Sequence, residues 1–138
     1  MKYIHPRSEQ LQLAVANIPA DTPVMMLNLL RFRDQADYSE SGDSGTILSG
    51  RDAYSEYVRH ASVCIAKVGA ELIWSGDTRH TLIGPESEQW HQAFVVRYPS
   101  IQAFFDMIQS ADYQAIVHHR SAALADSRLI ANTESPGQ

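Results

Sequence analysis

The sequence predicts an α+β domain of order βαββαβ, with one extra helix in front. Its four strands form one antiparallel sheet, with the helices on one face. Three observations carry this. Residues 24–32 and 90–98 are apolar at almost every position, as strands covered on both faces are. Residues 50–68 and 101–124 repeat apolar side chains at helical spacing. Strands and helices alternate, and right-handed crossovers then place the first and third strands in the centre.

Residues 8–17 form the added helix, with Leu11, Val15 and Ile18 on one stripe, and Pro19 and Pro23 bracket a turn. In the first strand Val24, Met26, Asn28, Leu30 and Phe32 share one face, and Met25, Leu27, Leu29 and Arg31 the other. Residues 33–49 carry four acids, two glycines and four serines. Such a long polar connection is a lid, an interface arm or a disordered tip. The helix over 50–68 buries Tyr54, Tyr57, Val58, Ala61, Ile65 and Val68, and Gly69 ends it.

The second strand starts at Glu71, bulges at 75–77 and resumes over 81–83. Gly84-Pro85-Glu86 turns the chain into the third strand at 90–98. Pro99 stops that strand and Ser100 caps a helix carrying Ile101, Phe104, Phe105 and Ile108. Ser110-Ala111-Asp112 offers a fresh cap. The next helix aligns Tyr113, Ile116, Val117, Arg120 and Leu124. Asp126-Ser127 ends it, 128–131 is a short closing strand, and 132–138 is a loose tail.

The 138 residues make a single domain, with its core at about 24–131. A net charge of -5 with no basic run argues against nucleic acid, and no apolar run approaches a membrane span. One cysteine permits no internal disulfide, which fits a cytoplasmic protein. Both central strands are apolar on both sides, yet the helices cover one face. A second copy of the chain is the simplest cover for the other, so a homodimer is expected.

Five stretches carry a family resemblance: Asp52-Ala53-Tyr54-Ser55-Glu56-Tyr57, Gly69-Ala70-Glu71-Leu72, Tyr98-Pro99-Ser100, Ser110-Ala111-Asp112-Tyr113-Gln114 and His119-Arg120-Ser121-Ala122. Together they resemble an uncharacterised domain-of-unknown-function branch of the dimeric α/β-barrel superfamily, whose folds are ferredoxin-like. The likeness spans roughly residues 24 to 131, outside which lies the N-terminal helix. It implies a dimeric barrel. It implies no particular chemistry, since relatives include cofactor-free monooxygenases, haem-degrading enzymes, isomerases and binding proteins.

Candidate chemistry comes from polar residues in apolar surroundings. Arg120 interrupts a helical stripe. Either its stem packs while its head reaches water or an acid, or it points a charge into a pocket. Asn28 interrupts the apolar face of the first strand and is a satisfied core group or a pocket donor. Arg31 and Arg97, near the C-terminal ends of the central strands, are expected at one end of the sheet. There they form a joint anion site or pair with acids such as Asp34 and Asp106. Tyr57 and Trp74 wall a cavity for a flat ligand or are plain core aromatics, and Tyr113 shares the Arg120 stripe. Among six histidines, His119 flanks that stripe and is the candidate general base, or else a surface residue; His118 beside it points elsewhere.

Metal-ligand spacing is absent, Cys64 reads as packing, and Gly42-Asp43-Ser44-Gly45 lacks the lysine of a phosphate loop. Neither a metal nor a cofactor is expected. Two functional classes stay open. One is a small cofactor-free enzyme of oxygenase or isomerase type, acting on a hydrophobic ligand with an anionic or enolic group. The other is a non-catalytic dimeric ligand-binding or stress-related protein. A cavity between sheet and helices, lined by these polar groups, separates the first from the second.

Overall fold

A computed structural model describes residues 2–39 and 47–136. The elements are α1 (Ser8–Asn17), β1 (Val24–Phe32), α2 (Gly50–Lys67), β2 (Glu71–Asp77), β3 (Gln92–Tyr98), α3 (Ile101–Gln109), α4 (Ala111–Gln114), α5 (Val117–Ala123) and β4 (Leu124–Asn132). The sheet order is β2-β3-β1-β4, every pair antiparallel. This is the expected ferredoxin-like architecture, with β1 and β3 central.

Antiparallel pairing corrects the expectation for Arg31 and Arg97. Met25 lies opposite Arg97, whereas Leu30, next to Arg31, lies opposite Gln92. The two arginines therefore sit at opposite ends of the sheet. The crossover from β1 through α2 makes β2 parallel to β1, and the β2–β3 hairpin then reverses β3. Arg31 instead donates to the Gln89 carbonyl at 3.4 Å. Among the described residues, neither arginine pairs with Asp34 or Asp106.

Pleating sorts β1 by face. Val24, Met26, Asn28, Leu30 and Phe32 are all buried beneath the helices, while Met25, Leu27 and Leu29 are half-buried on the free face. On that free face Trp74, Val95, Leu27 and Ile130 are register partners in turn, forming one apolar row across all four strands. Trp74 therefore stands on the face away from the helices, its ring over Gly76, and walls no cavity beneath them.

The second strand runs without a break to Asp77, with its irregularity between Leu72 and Trp74. No strand forms at 81–83: Leu82 is 88% and Ile83 97% exposed. Apolar β-branched sequence cannot make a strand without a partner edge. At the other end, β4 begins at Leu124, four residues earlier than the closing strand expected at 128, because Phe32 and Leu124 pair at the end of β1. In α1, Val15 is exposed rather than on the packed side; Leu11, Ala14 and Ile18 make the contact. Val58 is likewise exposed, while Ala53 and Cys64 are buried on α2.

Serines cap three helices, Ser100 and Ser110 as expected and Ser49 in addition. Ser49 Oγ accepts from the Asp52 N–H, Ser100 Oγ from Ala103, and Ser110 Oγ from Tyr113. Gly50 allows the closest approach in the fold. A Cβ there would lie 2.1 Å from the Arg33 carbonyl oxygen and 2.7 Å from that of Ala123. The described flanks of the 33–49 connection are anchored: Asp37 N–H donates to Ala122, Ala36 N–H to Leu48, and Ala36 and Tyr38 are buried. Its middle, including Gly42-Asp43-Ser44-Gly45, lies outside the described residues.

Candidate functional site

A cleft of about 1260 Å³ opens between the helix-facing side of the sheet and the helices. Its floor is made by alternate β3 residues, Gln92, Phe94, Val96 and Tyr98, with Met26 and Asn28 of β1 beside them. Strand alternation puts all six on one face. Helices α2, α3, α4 and α5 form one wall. The N-terminal segment and α1 form the other, through Tyr3, Ile4, His5, Leu11 and Ala14.

Four expected site residues meet here: Asn28, Tyr57, Tyr113 and Arg120. The Tyr57 and Tyr113 hydroxyls are 2.9 Å apart and their rings meet edge to face. Tyr54, buried, packs 5.2 Å from Tyr57 and 6.4 Å from Phe94. Burial pushes the phenols of Tyr54, Tyr57 and Tyr98 well above their ordinary values, although Arg120 draws Tyr54 and Tyr57 the other way. The phenols are therefore neutral hydroxyls, able to donate. Asn28 is buried and donates its amide N–H to the Met26 carbonyl at 3.1 Å, which leaves its amide oxygen without a donor among the described residues.

Arg120 is half-buried and donates to the Ile4 carbonyl, and its charge acts on the nearby Tyr54 phenol. It forms no ion pair among the described residues. Among the described residues, no Asp or Glu lines the cleft. Two other arginines border it: Arg128 is held by Glu88 at 3.1 Å and Asp126 at 2.8 Å, and Arg7 is exposed. The arginine on the apolar stripe thus lines the cleft, with its guanidinium on a backbone carbonyl rather than an acid.

The remaining candidates lie elsewhere. Arg31 and Trp74 belong to the free face, Arg97 to the same face at its far end. His119 is absent from the cleft wall. Its Nδ1 is 2.8 Å from the Tyr38 hydroxyl, and its ring stacks with His60. The His118 and His119 rings are 4.1 Å apart rather than diverging, and both contact Tyr38. A general base acting in the cleft from His119 is therefore not supported by this geometry. Among the described residues, no group of three or more His, Cys, Asp or Glu is placed to hold a metal ion, and no helix is long and apolar enough to cross a membrane.

Sequence reasoning missed the N-terminal wall. The Tyr3 N–H donates to Asp126 Oδ1 at 2.8 Å, and Ser127 Oγ–H donates to the Tyr3 carbonyl. These bonds span more than a hundred residues. No local spacing signals them, though Ser127 on the buried face of β4 is a polar residue in an apolar place. Tyr54 was legible only as a stripe residue.

The four-stranded antiparallel sheet with helices on one face is a ferredoxin-like α+β fold. The chain belongs to the family described as domain of unknown function DUF1330, which matches residues 47–133. A protein of unknown function from Rhodopseudomonas palustris is similar throughout. One crystal structure of it, methylated, is 36% identical over 99% of this chain and 98% of that chain, with a TM-score of 0.88. Another is 35% identical over 98% of each, at 0.87. A dimeric protein of unknown function and ferredoxin-like fold from Bacteroides fragilis is 10% identical, covering 84% of this chain and 100% of that one, at 0.52. A hydroxynitrile lyase from Passiflora edulis is 8% identical, covering 86% and 98%, at 0.58. The last two are likenesses of fold alone. No curated protein matches the chain.

Proposed function

We propose that this chain is a cytoplasmic homodimer that binds a hydrophobic small molecule bearing an anionic or enolic group, with the ligand in the cleft. The observation that carries this is Arg120: a half-buried cation that donates to the neutral Ile4 carbonyl, in a cleft that no Asp or Glu among the described residues lines. A charged acceptor makes roughly twice as strong a hydrogen bond as a neutral one, so an anion competes well with the Ile4 carbonyl. Asn28 and the Tyr57–Tyr113 pair supply further neutral hydrogen-bonding groups beside it. The aromatic floor and walls receive the apolar body.

Homodimerisation is supported by the apolar row Trp74–Val95–Leu27–Ile130 and by the dimeric state of the Bacteroides fragilis protein, which shares the fold. A single buried cysteine fits a reducing compartment. Cofactor-free turnover of oxygenase or isomerase type is the reading in which the bound enolate reacts. The absence of His119 from the cleft favours binding over catalysis by that residue.

A thermal-shift screen tests the proposal, with aromatic and aliphatic carboxylic acids set against their matched alcohols and amines. Acids raise Tm while amines do not. Equal shifts for acids and amines, or none for any acid, contradict it.

A further inference from the structure

The cleft is polarised along its length, and this bears on the shape of its ligand. The β3 strand from Gln92 to Tyr98 is seven residues long, roughly 20 Å end to end at strand rise. From β1 residue Asn28 to Met26, and from Gln92 through Phe94 to Val96, the floor turns apolar, and it ends on the uncharged phenol of Tyr98. The wall changes in the same direction. Arg120 lies on α5, whereas α3 contributes Ile101, Phe104, Phe105 and Met107, all buried, with the uncharged Tyr113 of α4 packed in their cluster. Ser127, a buried polar residue of β4, pairs with Leu30 and so falls at the Arg120 end.

Resting on the binding reading above, we infer that the ligand is an elongated amphipath with a single anionic head. The head sits at Arg120 and Asn28. The apolar body runs over Phe94 and Val96 towards Phe104 and Phe105. A compact aromatic acid would fill the charged end and leave the α3 end empty. A dianion would set its second charge against buried phenylalanines, where no cation meets it.

The test is calorimetric titration of the whole chain with straight-chain saturated monocarboxylates of increasing length, and with the α,ω-dicarboxylates of equal length. Affinity rises roughly fourfold per added methylene until the apolar end is filled. Each long dicarboxylate binds at least about tenfold more weakly than its monocarboxylate. A Val96→Phe variant, which narrows the floor, keeps short acids and loses the gain from long ones. If acids bind but chain length and a second carboxylate change nothing, the polarised-cleft inference is wrong and the acid site stands. If no carboxylate of any length binds, the underlying reading falls with it.

Discussion

The hydroxyl of Tyr57 on α2 lies 2.9 Å from that of Tyr113 on α4, joining two helices across the rim of the cleft. Tyr57 is half-buried and Tyr113 buried, and burial pushes the Tyr57 phenol well above its ordinary value. A neutral hydrogen bond of this kind contributes about 1 kcal/mol, and an orphaned buried hydroxyl costs somewhat more. Tyr57→Phe and Tyr113→Phe should each lower unfolding stability by about 1–2 kcal/mol. The double variant, which orphans nothing, should cost clearly less than their sum. Urea titration of the four proteins measures this. Strict additivity would mean that the two hydroxyls do not interact.

Gly50 is fixed by backbone rather than by helix propensity. A methyl there meets two carbonyl oxygens and the Arg33 amide nitrogen at 2.1–2.7 Å. No flexible side chain can yield. Gly50→Ala is expected to destabilise by about 3 kcal/mol or more, at the top of the usual overpacking range. A change below about 1 kcal/mol in urea unfolding would show that the close approach is easily relaxed.

The free face predicts a second outcome of substitution. Leu27 lies mid-row between Val95 and Ile130. Leu27→Glu places a charge in the centre of the expected dimer interface, where burial without a partner costs several kcal/mol. Sedimentation velocity should show the wild type as a dimer and this variant as a monomer with unchanged far-UV circular dichroism. A monomeric wild type would remove the homodimer. The double variant Arg31→Met, Arg97→Met should leave acid binding unchanged, since those arginines are at opposite ends of the face away from the cleft.

His91 sets a pH dependence. Its Nδ1 accepts from the Phe32 N–H at 3.0 Å and its ring stacks on Phe32. Burial lowers its pKa, and Arg31 and Arg51 lower it further. The unfolded chain therefore binds a proton that the folded chain refuses. Stability is full above the ordinary histidine value of about 6.5 and falls as pH drops through it, levelling below the folded value. Chemical denaturation between pH 8 and 5 should show this fall, and His91→Gln should reduce it. A pH profile identical in both proteins would contradict the assignment.

Periodicity locates β1 and α1 to the residue, because nine largely apolar positions and a proline-bounded helix leave little choice. Arg120 and Asn28 stand out because each breaks an apolar pattern, and both line the cleft. Strand direction is harder to read. Setting the C-terminal ends of the two central strands at one end of the sheet misplaces the Arg31–Arg97 pair, since a hairpin between β2 and β3 reverses the chain. Leu82 and Ile83 look like strand because composition does not report whether an edge is free to pair. The N-terminal wall depends on Asp126 and Ser127 reaching Tyr3, a tertiary contact with no sequence signature.

Asp126 gives that wall its own acid sensitivity. Burial alone would raise its pKa. The Tyr3 and Ser127 N–H groups and the Arg128 guanidinium together hold it below the ordinary aspartate value. The stabilisation is present above the unfolded value and disappears as pH falls through the folded one. Asp126→Asn should speed amide exchange in residues 3–7 at neutral pH. Unchanged exchange there would mean that the carboxylate does not hold the segment.

The direct measurement of the central claim is a calorimetric titration of a monocarboxylate that shifts Tm into wild type, Arg120→Lys and Arg120→Met. Loss of a charged hydrogen bond is worth about 2 kcal/mol, or roughly thirtyfold in Kd. The account predicts a loss of that order for Arg120→Met and a smaller one for Arg120→Lys, with the fold intact by circular dichroism. Equal affinity in all three proteins would place the acid somewhere other than this cleft.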